Sequence, residues 1–472
     1  MTGTGGRAGS GGAAGGGGSA APGAGDMFVS NVMVMVHPQV ATLLNVTWMQ
    51  TQAADRTWLE FTFTGATVMN SRAKPGAMGA HDDVVIGVPG QTAVTVRIVS
   101  EMGGVQYKTR DYMGTTGAVP GGMPTPMRLA YEPAAVATEK WILGSVENST
   151  GGCANSSCIF NGTHWVFIMD REARIVWYYA EGTSRVSSSY VRIARDGEYI
   201  AIDKGRTGGT LGALKMTLDR KFSQMTNLQV SDAIDVTADG SILYETSGTL
   251  KERPNGSTTD RTIWSCMSSM YRARFNNNCY SNTVNWDPVS DTVLLSFPEP
   301  NTVLQIDRKA TSAMGDAAIV AAWGDQGDWT FSPSMWSFEF QHFPNIIREG
   351  GMELLLISSH LPQFPYPSAG GPMQHAFIEF QIDRTAKRLT ERWSYSGGTE
   401  WPYSRGGVIK LSNGNYLGQY GSAGAFREIT PDKRTVFHVK FDAMNNPSDV
   451  TNKLIGHVQL VGDLYSLNGG PQ

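Results

Sequence analysis

No apolar run in this 472-residue chain is long enough to span a bilayer, so the chain as given is expected to be free of a transmembrane segment and soluble. Charge is scarce and balanced: 38 Lys and Arg stand against 42 Asp and Glu, a net charge of -4 at pH 7. Without a basic stripe, nucleic acid is not an expected partner. The chain also lacks a phosphate-binding Gly loop, a Gly-x-Ser-x-Gly elbow and an EF-hand loop. No cofactor is therefore expected. Helical periodicity is almost missing, which points to an all-β chain.

Cysteine is limited to Cys153, Cys158, Cys266 and Cys279. The two local clusters suit two disulfides, Cys153–Cys158 and Cys266–Cys279, and so an exported, periplasmic or cell-surface protein. A zinc site built from all four thiolates is disfavoured because neither spacing is the short Cys-x2-Cys knuckle. Free core thiols are the third alternative. Residues 1–26 are almost entirely Gly, Ala, Ser and Thr. They are too poor in apolar side chains to fold and read as a disordered tether. Such a tether fits a chain that follows a cleaved export or lipoprotein signal, with a lipid anchor ahead of it.

What is present is a repeat. Asp-Arg recurs at Asp170-Arg171, Asp219-Arg220, Asp307-Arg308 and Asp383-Arg384, each after an apolar alternating run. Three copies are followed closely by Trp177, Trp323 or Trp393, and a degenerate copy surrounds Asp432. Hairpin turns of a second kind interleave with these at Gly197, Gly240, Asp291, Gly351 and Gly414, about 43 to 63 residues apart. Asp-Gly and Asn-Gly between alternating hydrophobics favour tight hairpins, because both central residues of a type I′ turn need positive φ. One hairpin of each kind makes a four-stranded propeller blade. Five blades are readable. A sixth is expected from the strands near residue 141, completed by the C-terminal segment HVQLVGDLY, so that the ring closes and no edge is left open. An open sandwich array is the alternative.

Residues 27–133 read differently, as short period-two strands without the Asp-Arg repeat. They predict an immunoglobulin- or fibronectin-like β-sandwich with Trp48 and Leu59 in its core. A Pro- and Gly-rich hinge leads to the six-bladed β-propeller at 134–472.

Counting back nine residues from each inner turn gives Ser188, Ser231, Asn282, His342 and Arg405 at the mouth of the channel. Their neighbours are Ser189, Asp232, Tyr280, Gln341 and Ser404. An imidazole, a guanidinium and several hydrogen-bonding groups on one axis would suit an anion. His342 is the candidate nucleophile or base. Arg405 would neutralise an oxyanion, with Tyr280 and Asn282 as further donors. The plainer readings are a structural histidine, a surface ion pair, blade packing and ordinary polar strand ends. Gln341, Asp232, Ser231, Ser188, Trp336, Trp401, Tyr403 and His360 are candidate substrate-binding residues. The aromatics among them would stack on a flat ring or a sugar. A metal site from His342, His360 and His375 is conceivable but has no carboxylate-rich spacing behind it, so no metal is expected. His37 and His81 read as structural.

The stretches CYSNTVNWDPVSDTVLLSF, TVLQIDR and FQHFPNIIREGG resemble the bacterial arylsulfate sulfotransferases. The resemblance implies an exported six-bladed propeller with a small N-terminal sandwich. It implies sulfuryl transfer between phenols through a sulfohistidine, without a nucleotide sulfate donor. The family's Gln-His pair falls on Gln341-His342. Its His-x-Asn falls on Tyr280-Ser281-Asn282, where the histidine is lost. Its Ser-Arg falls near Ser296-Phe297-Pro298, where the arginine is missing, and its His-His-Asp falls on Ser231-Asp232-Ala233, with both imidazoles gone. Fixed donors around a transferring group supply much of the rate, so these losses weaken the implied activity unless Arg405 compensates. Two alternatives follow: a propeller isomerase or lyase using His342 as acid or base on an aromatic or natural-product substrate, and a non-catalytic propeller that binds glycan or protein.

Overall fold

The computed structural model describes residues 23–148, 153–154, 157–158, 163–181, 191–194, 197–204, 212–231, 233–333, 338–360, 375–397, 402, 405–441 and 453–469. Its elements are almost all strands, and the chain folds as a β-sandwich followed by a six-bladed β-propeller. The sandwich packs Val29–Val36, Leu44–Gln50 and Gly79–Val85 against a second sheet centred on Ala54–Phe63 and Ala93–Met102. Trp48 and Leu59 are buried between the two sheets, as strand alternation requires when only one face of each sheet is covered. His81 stacks on Trp48, and His37 reaches the Asp219 carbonyl of the propeller at 3.2 Å.

Blades two to five are consecutive sheets, antiparallel except for the outermost strand Thr330–Ser332 of blade five, and their inner strands are Val191–Ile193, Ile234–Val236, Thr283–Asp287 and Glu339–Glu349. Blade six begins with Gly407–Lys410 at the axis, and blade one contains Trp141–Asn148, His164–Asp170 and Ile175–Glu181. Blade one takes its innermost strands from the far end of the chain: Lys453–Ile455 and Gln459–Val461 both pair with Trp141–Asn148. Blade six takes its outermost strand, Pro126–Tyr131, from within the 27–133 segment expected to belong to the sandwich, so the sandwich ends before Pro126. The ring is thus clasped from both sides. Apolar alternation in the Pro-rich hinge was masked by its prolines, one of which sits at the first position of an edge strand, where no ladder N–H is needed.

The Asp-Arg repeat has two separable jobs. The Asp side chain caps the outer turn by accepting backbone N–H groups, from Glu172 at Asp170, Lys221 at Asp219, Lys309 at Asp307 and Ala386 at Asp383. The Arg side chain crosses to the preceding blade. Arg220 lies over Tyr179, Arg308 pairs with Glu252, Arg384 donates to Gln305, and Arg171 of blade one pairs with Glu428 of blade six. The tryptophans reach the other way: Trp177 Nε1 donates to the Leu218 carbonyl and Trp393 Nε1 to that of Pro431. The repeated residues are therefore fasteners between neighbours in the ring.

Beneath the mouth the axis is filled. The buried Arg192 guanidinium donates to the carbonyls of Ile234 and Val284 and lies over Phe343, whose ring stacks on His457 at 4.2 Å. Gln419 and Val458 exchange hydrogen bonds beside them. All six blades contribute to this plug.

Packing between blades is tight enough to test. A Cβ on Gly418, in the second strand of blade six, would stand 2.2 Å from the buried Phe377 ring of blade five. Gly418→Ala is expected to destabilise the fold by about 1–3 kcal/mol through overpacking. Chemical denaturation checks it, and an unchanged midpoint would show that the two blades are loosely seated.

Candidate functional site

The inner strands start at one end of the ring, and there His342, His360 and His375 of blade five, Arg405 of blade six, and Glu147 and His164 of blade one form a cluster whose members influence one another's charge. His342 sits early in Glu339–Glu349, a strand whose register with Met352–His360 shifts twice around it. Phe340 and Phe343 have positive φ on either side. These irregularities break simple alternation and turn the two halves of the expected Gln-His pair apart. Gln341 is fully buried, and its amide donates to Ser296 Oγ and to the carbonyls of Phe297 and Thr302 in blade four. His342 keeps part of its surface accessible.

The hydrogen bonds of His342 settle its tautomer. The Arg405 backbone N–H donates to Nε2 at 3.1 Å, so Nε2 carries the lone pair. The proton is on Nδ1, which donates to the Phe340 carbonyl at 3.0 Å. Burial, reinforced by His360, pulls its pKa down to about 3, against the opposing pull of the Phe340 carbonyl. The ring is neutral across the physiological range.

Two more imidazoles share this blade. His360 and His375 are direct cross-strand partners at the ends of Met352–His360 and His375–Asp383. His360 Nε2 donates to the Pro402 carbonyl at 3.1 Å, and His375 Nε2 lies 3.0 Å from Ser358 Oγ. Desolvation lowers His360 to about 4 and leaves His375 well below the usual imidazole range, with His360 and His342 adding to the depression. Among the described residues, no three His, Cys, Asp or Glu side chains are disposed to hold a metal ion.

Arg405 arrives from blade six. It is buried and in the left-handed region at φ 62°, followed by Gly406 at φ 140°. A Cβ at Gly406 would stand 2.6 Å from Ser358 Oγ, so glycine is what lets this segment press against blade five. The Arg405 guanidinium points the other way, with Nη2 3.7 Å from Oε2 of Glu147 in blade one. Glu147 is opposite His164 in the ladder between Trp141–Asn148 and His164–Asp170. Both are fully buried, and among the described residues neither the Glu147 carboxylate oxygens nor the His164 ring nitrogens have a hydrogen-bond partner. Desolvation raises the Glu147 carboxyl to about 7, with Arg405 holding it from rising further. Burial takes His164 down to about 3, and Arg405 adds to that shift.

The other expected site residues divide three ways. Asn282 is buried and donates to the Gln341 carbonyl at 2.9 Å, so it pins blade four to blade five. Ser231 likewise serves its own blade: its Oγ accepts from the Ser247 N–H. Tyr280 is exposed, just after the disulfide Cys266–Cys279. Ser188, Asp232, Trp336, Trp401 and Tyr403 lie outside the described residues. Cys153 and Cys158 are direct partners in a short two-stranded ladder. Glu147 and His164 were not among the residues singled out from sequence. The signal for them was positional. Residues 148–163 and 361–374 are the long insertions of blades one and five, and each is flanked by a titratable cross-strand pair.

No family model matches the chain, and no curated protein matches it. Among solved structures it is similar to hydrazine synthase of Kuenenia stuttgartiensis, at 11% identity and TM-score 0.34, over 60% of this chain and 80% of that one. It is also similar to a streptogramin B lyase, at 10% identity and TM-score 0.31, over 69% of this chain and all of the other. At that level nothing about activity carries over.

Proposed function

We propose that the mouth formed by blades five, six and one transfers an anionic group between phenolic substrates through His342, and that the group is sulfuryl, as in the exported arylsulfate sulfotransferases that the sequence resembles. The observation that supports this reading most is the state of His342: an unprotonated Nε2 directed at the Arg405 backbone, with Nδ1–H anchored on a carbonyl. A nucleophile needs that lone pair free of a proton at working pH, and a half-buried neutral imidazole has it.

In the first half-reaction the contact between Arg405 N–H and Nε2 opens, and Nε2 attacks the sulfur of an aryl sulfate. The N–S bond forms, the S–O bond to the aryl group breaks, and the phenolate leaves with the bonding pair. The positive charge that develops on the ring is shared through Nδ1–H with the Phe340 carbonyl. In the second half-reaction a phenol loses its proton to solvent or to a base at the mouth. Its oxygen attacks sulfur, and the N–S pair returns to the imidazole. Arg405 supplies a fixed cation for the equatorial oxygens. Neutral His164 offers one N–H donor of the kind the sequence lacks at Ser231 and Tyr280.

The test uses 4-nitrophenyl sulfate as donor and a second phenol as acceptor. Ping-pong kinetics are expected, together with a peptide containing His342 that carries one added sulfo group after rapid quenching. Folded protein that releases no nitrophenolate would sink the reading, as would transfer in which His342 is never labelled.

A further inference from the structure

Among the described residues, the mouth brings the Arg405 guanidinium close to the carboxyl group of Glu147. Glu147 is 1% exposed, its carboxylate oxygens accept no hydrogen bond among the described residues, and Arg405 is 3.7 Å away. The groups facing it are few. On the neighbouring strand of its own blade the partner is His164, neutral and fully buried. On the closing strand Lys453–Ile455 the residue opposite is Leu454. The adjoining strand Val191–Ile193 of blade two carries Arg192, whose guanidinium donates to the Ile234 and Val284 carbonyls and lies 3.8 Å from Asp235. Arg405 is therefore the charge that Glu147 answers to among the described residues.

An anion that binds Arg405 competes with that carboxylate. Two negative charges cannot share one guanidinium in a desolvated site without one of them being neutralised. A sulfate ester stays charged at any pH above the strongly acidic range, whereas a carboxyl group can take up a proton. We propose that Glu147 is the displaceable counter-ion of this site: a sulfate or sulfate monoester takes its place on Arg405, and the carboxylate is neutralised by one proton from solvent. This rests on the reading of the mouth as an anion site. It assigns Glu147 the role of a positioning residue that sets the charge available to the ligand.

The sign follows from the carboxyl's position near pH 7. Below that pH Glu147 is already neutral, and anion binding takes up no proton. Above it, each bound anion draws in about one proton, and affinity falls about tenfold per pH unit. His342, His164 and His360 titrate far below this window.

The experiment is calorimetric titration of the full chain with inorganic sulfate from pH 6 to pH 9, in pairs of buffers with different ionisation heats. Expected for the native chain are proton uptake rising from near zero to near one across that range and an affinity loss of about tenfold per unit at the alkaline end. Glu147→Gln is expected to bind sulfate equally at all these pH values, with no proton taken up. Arg405→Gln is expected to lose sulfate binding throughout. Sulfate binding by the native chain without proton uptake at pH 8 would overturn the counter-ion role while leaving the transfer reading intact. Uptake that persists in Glu147→Gln would do the same. Absence of sulfate binding in a folded native chain at every pH would remove both the anion site and this inference.

Discussion

Replacing His342 with alanine is expected to lower kcat/KM for aryl sulfate by on the order of a thousandfold or more, the scale seen when a covalent nucleophile is removed. The loss is expected to be chemical, because the half-buried side chain of His342 keeps part of its surface accessible and is not a member of the stack of Arg192, Phe343 and His457. Removing the imidazole frees the Arg405 N–H and the Phe340 carbonyl, and water can reach both. The melting temperature should therefore change little, while the sulfo adduct disappears. Free imidazole added to the alanine variant should restore part of the turnover by occupying the vacated space, since the lone pair and not the tether does the chemistry. A variant that keeps native turnover would end the proposal that this ring carries the group.

Acidification is expected to unfold the protein steeply between about pH 6.5 and pH 4. His164 and His342 titrate near 3, His360 near 4 and His375 well below its usual range, all because burial disfavours the charged ring. In the unfolded chain each has an ordinary pKa of about 6.5. Below that value the unfolded state binds more protons than the native state, so stability falls as pH drops. Each histidine contributes a slope of about 1.4 kcal/mol per pH unit, and the four together up to about 5. Glu147 has the opposite sign. Its folded pKa is raised, so its contribution is present at low pH and lost as pH rises through about 7. Thermal unfolding followed from pH 4 to pH 8 checks both arms. His375→Gln should reduce the acid slope by about 1.4 kcal/mol per pH unit. A melting temperature that is level from pH 7 to pH 5 would show that these rings are protonated in the native state.

Much of the architecture was legible because the hairpins obey local rules. Gly197, Gly240 and Gly414 adopt the positive φ that their turns demand, and the Asp of each Asp-Arg pair caps its turn in the sequence neighbourhood where it was found. What the Arg does was not legible, since its partner lies in the preceding blade, tens of residues away or, for Arg171 and Glu428, at the other end of the propeller. The mouth was half legible. Counting from the inner turns found His342 and Arg405, which do meet. The same count has no anchor in blade one, whose inner strands come from the C-terminal segment, and so it passed over Glu147 and His164. It also credited Gln341 and Asn282 to the channel, whereas the bulged strand around His342 turns Gln341 into the contact between blades four and five, and Asn282 meets its carbonyl there from blade four. Period-two reasoning fails where a strand inserts residues into its ladder.

The packed stack of Arg192, Phe343 and His457 makes the axis a cul-de-sac. A long polymer cannot be threaded from one face of the ring to the other. Under the transfer reading proposed above, a substrate is presented tip-first, as a small molecule or as the exposed end of a larger one, and backs out through the opening by which it came.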